Sequence, residues 1–319
     1  MDPSVNLRQE QQVDLVDANP TLSGSGSNSE VDAAGFNESK PAQTLSVGPI
    51  PKPEGSGILA IPTAKLYSMN GAKRGKVLIF NHETFEEKVG CKDRPGTDQD
   101  VARLNQVLPQ LGFQKEDIEV YNNMSKGEIN GIAENLKNNA DLEISDCLVV
   151  VILTHGIKND KLVANDGEYH LYEFIENFNP TTLKSMAGKP KLFIIQACRG
   201  EEVDHGVKLM AYSARDQVDS QPDIRPYPEF PDLFVVQSSH HGHKAFRNEQ
   251  EGSWLIQDLC NVIKNCDLET DSIYDILTET NDAVSQRLSE VDNIEFHNKK
   301  QIASIYSTLT KKLYFKPSK

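Results

Sequence analysis

Long apolar runs, paired cysteines and basic clusters are all missing from this sequence. No hydrophobic stretch approaches the ~20 residues that a membrane-spanning helix needs. Met1 to Glu10 hold no basic stretch followed by an apolar core, so no secretory signal is read there. The five cysteines, Cys91, Cys147, Cys198, Cys260 and Cys266, are odd in number and include no Cys-x-x-Cys pair. That argues against a disulfide framework and a structural zinc site. A cytoplasmic, reducing setting follows, in which any special cysteine is special for reactivity. Positive charge is scarce: 33 Lys and Arg against 47 Asp and Glu leave a net charge of −14. Without a local basic patch, such a chain is a poor partner for nucleic acid or an anionic membrane. His240, His241 and His243 lie close together, but no Asp, Glu or Cys is spaced to complete a metal site. No metal and no cofactor is expected.

Residues 1 to about 56 are rich in Gly, Ser, Asn, Pro and Gln, with apolar residues scattered without a period. They read as disordered, and the first 32 are acidic. Pro49, Pro51 and Pro53 mark a stiff linker, with ordered structure starting between Ile58 and Lys76. Strands and helices then alternate. Apolar runs without alternation predict buried strands at Val77–Phe80, Cys147–Leu153, Leu192–Ile195 and Leu233–Val236, with a further strand at Ile118–Tyr121. Helical spacing follows Thr97, which can cap a helix that Gly112 ends, and Ser125 with Glu128 forms a capping box. Two more helices fit Trp254–Lys264 and Ser272–Leu288. Leu313-Tyr314-Phe315 reads as a closing edge or interface strand. This order predicts an α/β fold: an open, mostly parallel central sheet with flanking helices, three layers deep. Residues 200 to 232 break the order with four prolines and no periodicity, and a loop of that length is usually functional.

In an open α/β sheet, sites form beyond the carboxyl ends of the strands. One strong strand runs into Thr154-His155-Gly156 and another into Gln196-Ala197-Cys198-Arg199-Gly200. If the two are neighbours, His155 and Cys198 emerge at one edge. Cys198 can then act as nucleophile with His155 as its acid and base. Gly156 and the backbone at Cys198 can donate N–H groups to a tetrahedral oxyanion. Each residue also has an ordinary reading: a cysteine at a strand end as a small buried hydrophobe, a histidine as a satisfied core residue.

The pentapeptide ending in Gly200 resembles the nucleophile signature of the caspases, with a histidine upstream at a similar distance. Four further segments match that family in order. These are Arg94-Pro95-Gly96-Thr97-Asp98, Gly188 to Phe193, Phe246-Arg247-Asn248 with Gly252-Ser253-Trp254, and Lys299 to Ile302 with Leu313 to Phe315. The resemblance covers residues from about 73 to 315 and is nearest to short-prodomain executioner caspases of invertebrates. It implies a three-layer αβα fold and a cysteine endopeptidase that cuts proteins after Asp during apoptosis. Cys198 and His155 would be the catalytic pair, and Arg94, Gln196 and Arg247 would grip the P1 aspartate. Guanidinium groups supply the charge and fork-shaped donors that a buried carboxylate needs. Arg199 is read as tying down loops. The third member of the catalytic set is left unnamed.

The resemblance also implies a zymogen. The expected division is a prodomain over 1–32, a large subunit over 33–219 and a small subunit over 220–319. Asp216-Gln217-Val218-Asp219 before Ser220 and Ser29-Glu30-Val31-Asp32 before Ala33 supply the processing sites, Asp219 and Asp32. An upstream initiator caspase would cut there, and two large–small pairs would assemble as a dimer. An N-terminus at Ala33 resembles the short motif read by BIR domains of inhibitor-of-apoptosis proteins. Three departures stand out: Thr154 where the family usually has Ser, Lys244 where an aromatic residue commonly walls the S2 pocket, and Ala245, which keeps only a backbone anchor. The competing reading is a weakly catalytic decoy or adaptor. It sits poorly with the presence of Cys198, His155, Arg94, Gln196 and Arg247 together.

Overall fold

β-branched and apolar residues in unbroken runs build the middle of the molecule. The computed structural model describes residues 14–16, 65–205, 230–291 and 293–316. In chain order its strands are β1 (Asp14–Val16), β2 (Lys73–Asn81), β3 (Ile118–Asn122), β4 (Ser145–Leu153), β5 (Gly156–Ile157), β6 (Lys161–Ala164), β7 (Gly167–His170), β8 (Lys191–Gln196), β9 (Leu233–Gln237), β10 (Phe246–Asn248), β11 (Gly252–Ser253) and β12 (Ser304–Ser307). The helices are α1 (Thr97–Val107), α2 (Lys126–Asn135), α3 (Leu171–Ile175), α4 (Trp254–Asn265) and α5 (Ile273–Gln286).

The main sheet has the order β12-β9-β8-β4-β2-β3. Its five pairings reduce to one rule: β3, β2, β4, β8 and β9 run parallel, and only β12 is antiparallel. Every residue of β4 is buried, as a strand covered on both faces requires. The pleat divides its side chains between two cores. Cys147, Val149, Val151 and Leu153 join Val77 and Ile79 of β2 under α1, α4 and α5. Leu148, Val150 and Ile152 join Leu78 and Phe80 under α2 and α3. The second core is aromatic, with Phe174, Phe178 and Phe193 meeting edge to face at centroid distances of 5.2 Å. Three layers, helix–sheet–helix, follow, as the sequence predicts.

Local signals hold in detail at α2, where Ser125 and Glu128 form the capping box. Ser272 and Asp275 make a second box at α5. At α1 the cap position is Gly96, and Thr97 is the first helical residue. The Thr97 hydroxyl instead donates to Asn81 Oδ1 at 2.7 Å. Pro109 does not break α1 internally. It sits in a 3-10 turn, Leu108–Leu111, that ends at the left-handed Gly112.

Leu313-Tyr314-Phe315 is not the edge strand that its composition suggests. The Leu313 and Phe315 side chains are buried in the first core, where the Phe315 ring lies 6.2 Å from Phe113. The carbonyl of Leu313 accepts from the Ile273 N–H. The edge is β12, eight to nine residues earlier, with Ile305 and Tyr306 exposed. Its polar ends, Ser304 and Ser307, hide it from a search for apolar runs. Residues 14–16, inside the stretch read as disordered, form β1 against β10. A three-residue strand has no period to detect, and its partner lies more than 200 residues away.

Candidate active site

The register between β4 and β8 places the two loops that matter side by side. Leu153 of β4 is opposite Gln196 of β8, and the Thr154 N–H continues the ladder to the Gln196 carbonyl. Two residues beyond each partner come His155 and Cys198, both buried at the carboxyl edge of the sheet. The sequence expectation that these two strands are neighbours is met. Beyond the ladder, the Gly156 backbone closes on the Cys198 carbonyl. A Cβ at residue 156 would stand 1.9 Å from that oxygen. Only glycine permits the approach, which sets the Gly156 backbone directly against the Cys198 peptide.

His155 is held from its far side. Its Nε2 lies 2.7 Å from the Lys92 carbonyl oxygen. A carbonyl only accepts, so Nε2 carries the proton and donates. In the neutral ring Nδ1 is then the basic atom. Phe85 packs on the ring at a centroid distance of 5.1 Å. The orienting group is therefore a backbone carbonyl, which explains why no side chain in the sequence announces it.

Cys198 receives a hydrogen bond at sulfur. The Ala245 N–H points at Sγ, 3.1 Å away. A donor on sulfur favours the thiolate. The backbone just before Cys198 is clamped by Ser238. Its hydroxyl accepts from the Ala197 N–H at 3.1 Å and donates to the Ala197 carbonyl at 2.8 Å. Gln301 completes the support: its Oε1 accepts from the Phe246 N–H and its Nε2 donates to the Ser238 carbonyl. Neither Ser238 nor the bridging role of Gln301 is legible in the sequence, because both act on main-chain groups.

Arg94 and Arg247 are among the largest fully buried side chains of the protein. The Arg94 guanidinium donates to the His82 carbonyl at 2.9 Å and to Thr97 Oγ1 at 3.2 Å. Arg247, on β10, donates to the Pro95 carbonyl, next to Arg94 in sequence. Gly96, with φ of 84°, makes that junction possible. A Cβ there would stand 2.3 Å from the Glu249 carbonyl oxygen. Gln196 is also buried. Two buried guanidinium groups on adjoining segments carry the charge and forked donors that can bind an anion of carboxylate size. Beneath them, Asp100 is fully buried and accepts from the Ser253 N–H at 2.8 Å and from Gln257 at 2.9 Å. Burial lifts its carboxyl to about 6 despite these donors and the Arg94 charge. Asp100 ties α1 to β11 and α4 and so fixes the two arginine segments together. Sequence reading missed it, because an acid inside a helix looks like a solvated face.

The remaining residues sort plainly. Arg199 Nε donates to Asp160 at 2.7 Å, so it ties loops together. The Lys244 ammonium lies over the Phe296 ring, 5.3 Å from its centroid. Phe246 stacks on Trp254 with centroids 4.9 Å apart. His243 faces Glu202, and His241 contacts Arg199. Burial pushes the Cys91 thiol up to about 11 and that of Cys260 to about 12, and it raises Cys147 further. These thiols are poorly reactive. Asp32, Ala33, Asp216 and Asp219 lie outside the described residues, and so do the subunit boundaries drawn from them. No helix among the described residues is long and apolar enough to cross a membrane.

Comparisons with known proteins point to one family. The family model described as "Caspase domain" matches residues 74–314. Caspase-7 of Gallus gallus is 35% identical over 253 residues, covering 78% of this chain and 79% of that protein. Caspase-1 of Spodoptera frugiperda is 33% identical over 308 residues, covering 95% of both. The crystal structure of the Spodoptera frugiperda protein superposes with a TM-score of 0.71, over 81% of this chain and 95% of that one.

Proposed function

The chain belongs to the caspase family, and on that premise we propose that it is an executioner caspase cutting proteins after aspartate, with Cys198 as nucleophile. The observation that carries the proposal is the junction of His155, Gly156 and Cys198 at one sheet edge, beside the buried pair Arg94 and Arg247. The Cys198 sulfur attacks the carbonyl carbon on the carboxyl side of the P1 aspartate. The oxyanion takes the N–H groups of Gly156 and Cys198. His155, turned by Lys92, protonates the departing amine through Nδ1 and then takes a proton from the water that releases the acyl group. Arg94, Gln196 and Arg247 hold the P1 carboxylate. An asparagine or alanine at P1 would leave buried cations unmatched, which costs far more than a lost surface contact.

The same reading takes the chain as a cytoplasmic zymogen acting in apoptosis. Processing falls at Asp219 and Asp32, by an upstream initiator caspase or by the enzyme itself. Its active form is a dimer of large–small pairs, joined through the exposed edge at Ile305 and Tyr306 of β12. A BIR domain is the partner proposed for the end at Ala33. The test is hydrolysis of a fluorogenic Asp-P1 peptide. Activity that persists in Cys198→Ala, or that accepts Asn at P1 equally, would refute the assignment.

A further inference from the structure

Strand β1 sits where a substrate would. Asp14–Val16 add antiparallel to the β10 side of the β10–β11 pair. Asp14 is opposite Asn248, Leu15 opposite Arg247 and Val16 opposite Phe246. These three residues belong to the same compact unit as the main sheet. β10 carries Arg247, assigned above to the P1 carboxylate. One residue before β10 is Ala245, whose N–H touches Cys198 Sγ. As β1 runs from residue 14 to 16, its partners fall from 248 to 246, toward Ala245 and the nucleophile.

The sequence then gives the strand its meaning. Asp14-Leu15-Val16 is followed by Asp17 and Ala18. This is Asp-x-x-Asp before a small residue, the same form as Asp216 to Ser220 in the long loop. The segment ending at Asp32 lacks the first of the two acids. Strand addition to an exposed edge is a general way for an extended peptide to dock, with main-chain bonds for affinity and alternate side chains for selection. Here the register, the polarity and the acid next in sequence all agree with one substrate.

We propose that residues 14–16, paired with β10, are the docked part of a tethered substrate, and that the Asp17–Ala18 bond, which lies outside the described residues, is a self-cleavage site. The proposal rests on the cysteine-protease reading above. The Cys198 sulfur bonds to the Asp17 carbonyl carbon, the bond to the Ala18 nitrogen breaks, and that nitrogen leaves with a proton from His155. Water then adds to the thioester and gives one proton to His155. Its oxygen becomes part of the new Asp17 carboxylate, and the thiol is restored. One water is consumed, and no oxidant or reductant is needed. Until the cut, the tail occupies the edge that external peptides require, so it also competes with them.

The experiment has two arms, both on the full chain. In active protein, mass analysis of the N-terminus follows the cut while a fluorogenic Asp-P1 peptide reports activity. A new terminus at Ala18 is expected, with a rate constant unchanged over a fifty-fold range of protein concentration. Protein that hydrolyses the peptide but shows no terminus at Ala18, or a rate proportional to its own concentration, overturns the proposal and leaves the protease reading intact. The second arm is independent of catalysis. In Cys198→Ala protein, amide hydrogen exchange across residues 244–249 is compared with and without the paired changes Leu15→Pro and Val16→Pro, which remove two adjacent N–H groups, one of which faces β10 in either pleat. At least ten-fold faster exchange is expected in the proline variant. Equal exchange in the two chains overturns the docking itself.

Discussion

Replacing Gly156 by alanine tests the site at its tightest point. The added Cβ would stand 1.9 Å from the Cys198 carbonyl oxygen, 2.9 Å from its carbonyl carbon and 3.0 Å from the Ala197 Cβ. Ordinary contact begins near 3.4 Å, so one loop must retreat by more than an ångström. Neither neighbour is a flexible side chain: two are backbone atoms and the third is a Cβ. The fold absorbs the insertion at a cost of about 1–3 kcal/mol, the usual range for overpacking. Catalysis suffers more. Losing one oxyanion donor costs about 10²–10³ in turnover, and a 1 Å misplacement of reacting groups costs about 10². The assay is kcat and KM for an Asp-P1 peptide, alongside denaturant unfolding to confirm a folded protein. A fall in kcat of about 10²–10³, with KM changed little, is expected. Turnover within ten-fold of the parent in a folded variant would refute the claim that this close approach builds the oxyanion site.

Further outcomes follow from the same structure. Arg94→Leu and Arg247→Leu should each lower kcat/KM for Asp-P1 peptides by about 10² or more, the scale for breaking a buried charge pair; peptide kinetics check this. Burial raises the Asp100 carboxyl from its ordinary 3.8 to about 6, so the folded state binds the extra proton between those values and stability falls as pH rises through them. Asp100→Asn removes that titration and should gain about 2 kcal/mol on the parent between pH 4 and pH 7.5, read by urea unfolding; a flat difference would contradict the assignment. Gln301→Leu strands the buried Phe246 N–H and the Ser238 carbonyl, and should cost about 1–3 kcal/mol of stability. Tyr306→Glu, on the exposed edge strand β12, should halve the sedimenting mass of processed enzyme.

Much of the sheet was legible because its strands lie under helices on both faces. Full burial forces runs such as Leu148 to Leu153 to be apolar without alternation, and such runs stand out. The juxtaposition of His155 and Cys198 was legible for a related reason, since parallel strands present their carboxyl ends at one edge. What escaped notice works through the main chain or over long separations. Lys92 acts through its carbonyl, Ser238 and Gln301 grip peptide groups, and β1 finds its partner at β10. Leu313 to Phe315 misled because apolar composition marks burial, and burial can be under a helix as readily as at an interface. β12 escaped because Ser304 and Ser307 flank only two apolar residues. The resemblance to caspases supplied Arg94, Gln196 and Arg247, which spacing alone does not connect.

The central claim is that Cys198 is the nucleophile of a site that selects aspartate. A peptidyl aspartyl fluoromethylketone tests it in one step, because the thiolate displaces fluoride and leaves a mass adduct on the attacking residue. Peptide mapping of the labelled full chain should place a single adduct on Cys198. Free aspartyl substrate should prevent it, and Cys91, Cys147, Cys260 and Cys266 should stay unmodified. An adduct on any of those four in place of Cys198, or equal labelling by the asparagine analogue, would contradict the account.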